Sequence, residues 1–244
     1  MNNTSVPDDK ILFLLKTMRH EFLDDTINKG RFCFNQPAVF SKWEDESAAQ
    51  ADRWEAHDAY EAIDFIAFPI IGEKDGVPLY GKGVKNQNKV VIHMQDDEVA
   101  RSFICCFRLV TPQEVTIEQD NVVYSLGPNA DRIIKEFGHD TYIMVPAAEF
   151  LKRFNSKIGS NCMQGAVVYA DLLNNVDLKF NFNVPENLQS IAEQLFRKDM
   201  RFAWQQEFRI ALPPDPNVIG QRKIVEIGSI KDIAYYGNIS DLRN

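Results

Sequence analysis

Arg201-Phe202-Ala203-Trp204-Gln205-Gln206-Glu207-Phe208-Arg209-Ile210-Ala211-Leu212 carries its large apolar residues at positions 202, 204, 208, 210 and 212. Side chains of a strand alternate between its two faces, so this spacing predicts a strand. Phe202, Trp204, Phe208, Ile210 and Leu212 then pack inward, and Arg201, Gln205, Glu207 and Arg209 share the other face. Gln205 and Glu207 would project side by side, roughly 7 Å apart along the strand, lining a cleft. A glutamate in that setting can stabilise a developing oxocarbenium cation while the neighbouring amide orients a nucleophile. A solvated strand face bearing an Arg–Glu pair produces the same pattern without any chemistry.

Further elements follow outward from this segment. Upstream, Val176, Leu178, Phe180, Phe182 and Val184 alternate with polar residues, which predicts a half-buried strand, and a helix is expected over residues 186–197. Downstream, strands are expected at 223–227 and 231–236. Nearer the start, a strand at 11–15 precedes a helix over 20–29 that ends at Gly30, and a strand at 31–34 follows. Residues 44–63 are rich in Ala, Glu and Asp and free of Gly and Pro, which predicts a surface helix. Strands are expected at 64–71, 90–94, 102–110, 115–118, 122–126, 141–145 and 165–170, with helices over 131–137 and 147–158. Strands in runs with helices inserted singly predict one α+β domain spanning residues 1–244, with a mixed, mostly antiparallel sheet and flanking helices.

Composition narrows the function. The 244 residues hold 27 Lys plus Arg against 35 Asp plus Glu, a net charge of −8. Such a surface repels phosphate backbones and argues against non-specific nucleic-acid binding. Cys33, Cys105, Cys106 and Cys162 form no C-x-x-C, and neighbouring strand residues do not suit a disulfide, so reduced thiols are expected. The polar, acidic N-terminus does not resemble a secretory signal, and no apolar run approaches the ~20 residues that span a bilayer. The expectation is a cytoplasmic protein without a membrane segment.

Three other clusters bear on chemistry. Lys16, Arg19 and His20 fall at a strand-to-helix junction, where an anion such as a dinucleotide pyrophosphate is favoured, although surface charges at a helix start look the same. Asp52, Glu55, Asp58 and Glu61 recur every three residues beside His57 and could ligate a divalent cation, although a solvated acidic face gives the same spacing. The histidines at 20, 57, 93 and 139 make no zinc pattern, and Gly81-Lys82-Gly83 is not a phosphate-binding loop, so no metal site is assigned. Cys105-Cys106 lies in an apolar strand and reads as core.

Several segments together resemble an uncharacterised bacterial and phage-associated family grouped with abortive-infection proteins. Its Phe-Asn-Asp-Pro element is similar to Phe34-Asn35-Gln36-Pro37, with Gln36 in place of the acid, and is followed here by Phe40 and Trp43-Glu44-Asp45-Glu46. Its Cys-Phe and Val-x-Tyr strands resemble Cys106-Phe107 and Val167-Val168-Tyr169. Its Phe-x-Lys and Glu-x-Glu-x-Arg elements resemble Phe196, Lys198 and then Gln205, Glu207 and Arg209, with Gln205 replacing the first glutamate. The order of features is also similar to ADP-ribosyltransferases. In that fold an early basic residue (here Lys16 or Arg19), a mid-chain serine (Ser102) and a late Gln-x-Glu (Gln205, Glu207) surround NAD in a split sheet. The resemblance implies Glu207 on the nicotinamide ribose, Gln205 near the acceptor, and Lys16, Arg19, Ser102 and Arg209 as cofactor-binding residues. It implies transfer of ADP-ribose from NAD to a macromolecule in conflict between phage and host. The alternatives are a non-enzymatic acidic inhibitor that docks a basic partner, and a metal-dependent hydrolase using the acidic stripe.

Overall fold

The computed structural model describes residues 11–40, 58–62, 65–67, 70–74, 77–80, 84–86, 90–94, 97–118, 121–159, 161–170, 182–183 and 186–243. In chain order it begins with β1 (Phe13–Met18), α1 (Leu23–Lys29), β2 (Arg31–Asn35) and the single turn α2 (Pro37–Phe40). Six short strands follow: β3 (Asp58–Ala62), β4 (Phe65–Ala67), β5 (Ile70–Lys74), β6 (Val77–Tyr80), β7 (Val84–Asn86) and β8 (Val90–Met94). Next come α3 (Asp97–Arg101), β9 (Phe103–Val110), β10 (Val115–Glu118), β11 (Asn121–Tyr124), α4 (Pro128–Phe137), β12 (Thr141–Pro146) and α5 (Ala147–Ile158). The remainder holds β13 (Met163–Ala166), β14 (Val168–Ala170), β15 (Phe182–Asn183), α6 (Gln189–Leu195), β16 (Arg197–Asp199), β17 (Glu207–Leu212), β18 (Arg222–Glu226) and β19 (Tyr235–Asn238).

The main sheet runs β15-β13-β17-β9-β1-β12-β19, with β2 and β18 as a side branch, and every pairing in it is antiparallel. The strand β9 is its hub. Along one edge β9 pairs with β17 from Phe103↔Leu212 to Arg108↔Glu207. Its other edge forks: Arg108 to Val110 pair with β1, while Ile104 pairs with Asn35 of β2. The hub reads Phe-Ile-Cys-Cys-Phe-Arg-Leu-Val because a strand covered on both faces needs apolar residues at nearly every position.

The two faces are covered differently. On one, Phe103, Cys105, Phe107 and Leu109 join Phe208, Ile210, Leu212, Phe32 and Phe34 in a single core. It is closed by Ala147, Phe150 and Phe154 of α5, spaced along one side of that helix. On the other face the cover is divided. Ile104, Ala211 and Met163 lie under Val99 of α3 and Ile191, Ala192 and Leu195 of α6. Leu15, Val110 and Met144 lie instead under Ala130 and Ile133 of α4 and under Ile239 and Leu242 of the last turn. Between these two clusters Thr17, Cys106 and Arg108 stay partly exposed in the middle of the sheet. The site described below grows from that gap.

Three expectations need correction. The strand expected over 201–212 begins only at Glu207, for Met200–Gln205 is a 3-10 turn. Of the helix expected over 44–63, residues 58–62 are strand β3, paired with β8, and 44–57 lie outside the described residues. Composition favoured helix there, but pairing with Val90–Met94 decided the conformation. Residues 231–234 form a turn, and the strand at that end is β19. Most of 176–184 lies outside the described residues; Phe182 and Asn183 form β15 against β13. Among the described residues no helix is long and apolar enough to cross a membrane, and all four cysteines are free thiols.

Gly30 and Gly138 both end helices in the left-handed region, with φ of 61° and 62°. They differ in surroundings. A Cβ on Gly30 would lie 2.1 Å from the Gly228 carbonyl oxygen, whereas one on Gly138 meets nothing within 4 Å. Gly138→Ala should therefore cost about 1 kcal/mol, the left-handed penalty alone. Gly30→Ala should cost about 2–4 kcal/mol, because the backbone clash adds to it. Urea unfolding of the two variants checks the difference.

Candidate functional site

The turn before β17 is fixed from three sides. Asp199 Oδ1 accepts from the Arg201 amide at 2.9 Å at its start. Gln206 closes it in the left-handed region (φ 46°), the single non-glycine residue with positive φ among the described residues. A side chain there costs about 1–2 kcal/mol, so something must hold the turn shut. The Gln206 amide donates to Ala203 O at 3.2 Å, and its carbonyl accepts from Leu109 N at 2.8 Å. The Arg108 guanidinium donates to Trp204 O at 2.8 Å and Gln205 O at 3.4 Å. Its other nitrogens reach Tyr124 Oη at 2.9 Å and Glu114 Oε1 at 3.1 Å.

Beneath the turn lies a buried ionic cluster. Glu207 Oε1 meets Lys198 Nζ at 2.6 Å, and Glu207 Oε2 accepts from Arg209 Nε at 2.9 Å. Lys198 also donates to Gln205 Oε1 at 3.0 Å and stands 4.9 Å from the centre of the Phe202 ring. Arg209 is anchored a second time, by a hydrogen bond to Leu195 O of α6. The Glu207 amide donates to Tyr169 Oη at 2.8 Å. One local device delivers both partners: β14 and β16 form a short parallel ladder in which Tyr169 is the register partner of Lys198. Side-chain exposure is 7% for Lys198, 8% for Glu207 and zero for Arg209. Burial alone would raise the Glu207 pKa, but the charges of Arg209 and Lys198 outweigh it and bring it from 4.5 down to about 2.

Lys16 occupies the fork. Carbonyls along a strand alternate between its edges, and those of Ile104 and Arg108 turn towards β2 and β1. The Cys106 carbonyl falls between them, where neither branch reaches, and Lys16 Nζ donates to it at 2.8 Å. Burial works to lower the Lys16 pKa. The net direction is nevertheless upward, with coulombic contributions from Cys105, Cys106, Cys33 and Glu207 opposing burial. Cys106 itself is pushed up to about 12, first by burial and then by Glu207, so it is a thiol rather than a nucleophilic thiolate. Next to the fork His139 Nδ1 lies 2.8 Å from Thr17 Oγ1, and its ring stacks on Phe137. Burial, then Lys16 and Arg19, lower its pKa from 6.5 to about 4.

Gln205, Glu207 and Arg209 are thus brought together, but not as the alternation predicts. Gln205 sits on the turn and reaches Glu207 through Lys198. Glu207 and Arg209 share a face, as expected, yet α6 and the turn bury that face, so they do not line an open cleft. Lys16 lies within electrostatic reach of Glu207. Arg19 does not join them: its side chain is 65% exposed and lies 3.9 Å from Glu21. Ser102 is also apart. It is buried, donates to Glu98 O at 2.9 Å, and precedes the end of β9 that pairs with Leu212. That is about 17 Å along the ladder from Glu207. Of the acidic stripe, Asp58 and Glu61 lie on β3, while Asp52, Glu55 and His57 lie outside the described residues. The residues the strand reading did not assign to the site are Lys198 and Tyr169. A lysine two positions after the apolar Leu195-Phe196 was the available signal. No family model, curated protein or solved structure matches the chain.

Two groups make stability depend on acid in separate windows. His139 is neutral in the fold, so its contribution is complete above pH 6.5 and is lost as pH falls towards about 4. Glu207 is ionised in the fold, so its contribution is complete above pH 4.5 and is lost as pH falls towards about 2. In urea unfolding followed against pH, His139→Gln should flatten the upper window and Glu207→Gln the lower.

Proposed function

We propose that the chain is an NAD-dependent ADP-ribosyltransferase-like protein that modifies a macromolecular target. The observation that carries this reading is the convergence of Gln205 and Glu207 on one ammonium, that of Lys198. In the reaction proposed, an acceptor nucleophile forms a bond to C1′ of the nicotinamide ribose as the bond to nicotinamide breaks, the bond pair leaving with nicotinamide and the acceptor's proton passing to solvent. The ring cation that develops is stabilised by the Glu207 carboxylate, and Gln205 orients the acceptor. A carboxylate already paired with Lys198 and Arg209 is partly spent. On this reading the dinucleotide diphosphate draws Lys198 away and leaves Arg209 as the remaining partner of Glu207. Lys16 adds positive charge near the same point.

One observation favours a second reading. Glu207 is held by two cations, and Arg209 is fully buried against α6, which suits a cluster that simply holds the fold. The chain would then be a non-enzymatic binding protein whose net charge of −8 docks a basic partner.

Nicotinamide release from NAD, with host lysate as acceptor source, separates the two. The transferase reading expects release by the wild type, a drop of about a hundredfold or more for Glu207→Gln, and an NAD-induced rise in Tm in both. Equal release from both proteins would show that Glu207 is not catalytic. No release and no Tm shift would favour the binding protein.

A further inference from the structure

We propose that residues 200–206 are a hinged lid over the Lys198–Glu207 pair, and that the strained residue Gln206 is its hinge. The purpose assigned to the lid, admitting a ligand to Glu207, rests on the transferase reading above; its existence does not. Phe202 and Gln205 of this segment contact the Lys198 ammonium, the ring at 4.9 Å and the amide oxygen at 3.0 Å. Moving them away removes two of the contacts around the Lys198 ammonium. Both ends of the segment are fixed, one at β16 and the other at β17, so motion must be absorbed within it.

The segment is weakly built and held mainly from outside. It is a 3-10 turn, whose hydrogen-bond geometry is poorer than that of an α-helix. Met200, Arg201 and Gln206 are exposed. Its closed state requires a glutamine in the left-handed region, which raises its energy relative to any open state with ordinary backbone angles. Two arginines from other elements oppose that strain. Arg108 of β9 grips the Trp204 and Gln205 carbonyls, and the Arg132 guanidinium of α4 lies 3.9 Å from the Trp204 ring centre. A strained hinge with two external latches is the architecture of an element with two states.

Amide hydrogen exchange of the full chain, resolved by NMR, tests this. Two amides report closure: Gln206 (to Ala203 O) and Leu109 (to Gln206 O). They should exchange about a hundredfold faster than the central amides of β17, through local opening. Gln206→Gly, which relieves the strain, should slow the reporters about fivefold. Arg108→Lys, which cannot keep the Tyr124 and Glu114 contacts together with both carbonyls, should speed them about tenfold while β12 is unchanged. Reporters that exchange at the rate of central β17 in all three proteins would overturn the lid. NAD should slow the reporters in the wild type. Local opening that ignores NAD would keep the lid and count against the transferase reading.

Discussion

A carboxylate at 8% exposure between two cations constrains everything around it. Taking Glu207 out of water is costly, and the attraction of Lys198 and Arg209 offsets that cost only while both geometries hold. Removing one member of such a pair typically costs about 3–5 kcal/mol, because the charge left behind stays buried. Several otherwise unrelated features of the chain follow from this requirement. The parallel ladder of β14 and β16 exists beside the main sheet and delivers Lys198 and Tyr169. The end of α6 supplies the Leu195 carbonyl that fixes Arg209. The chain must also turn sharply before β17, so that Gln205 can return to the ammonium.

The fork of the sheet is the second constraint. A strand that gives one edge to two diverging neighbours leaves a carbonyl between them without a ladder partner, and here that carbonyl belongs to Cys106. Lys16 supplies the missing donor from β1. Its charge is then felt at Glu207 on one side and at His139 on the other. The same divergence accompanies the divided cover on the second face, where Thr17, Cys106 and Arg108 remain partly exposed. Fold and site are therefore one arrangement.

Much of this was legible in the sequence where the determinants are local. Alternation correctly put Phe208, Ile210 and Leu212 into one core and Glu207 with Arg209 on the opposite face. Gly30 and the apolar positions before it marked α1 and its end. The rest depends on residues distant in the chain. Alternation cannot tell a solvated face from one covered by α6, since both carry polar residues at every second position. Nor does anything local to Trp204-Gln205-Gln206 specify a turn; Arg108, almost a hundred positions away, holds it. Residues 58–62 have helical composition and become a strand because of a partner at 90–94. Ser102 and Lys16 were grouped by their order along the chain, which carries no information about the long axis of β9 that separates them.

Glu207 stays ionised in the folded protein because Lys198 and Arg209 hold its proton off. Carbon-13 NMR titration of its side-chain carboxyl reads this directly. No change in the Glu207 signal is expected from neutral pH to about pH 3. In Lys198→Met the Glu207 midpoint should move upward, because one of the two charges opposing burial is gone. A wild-type Glu207 midpoint at the ordinary carboxylate value of 4.5, unchanged by Lys198→Met, would show that the two cations do not hold the proton off.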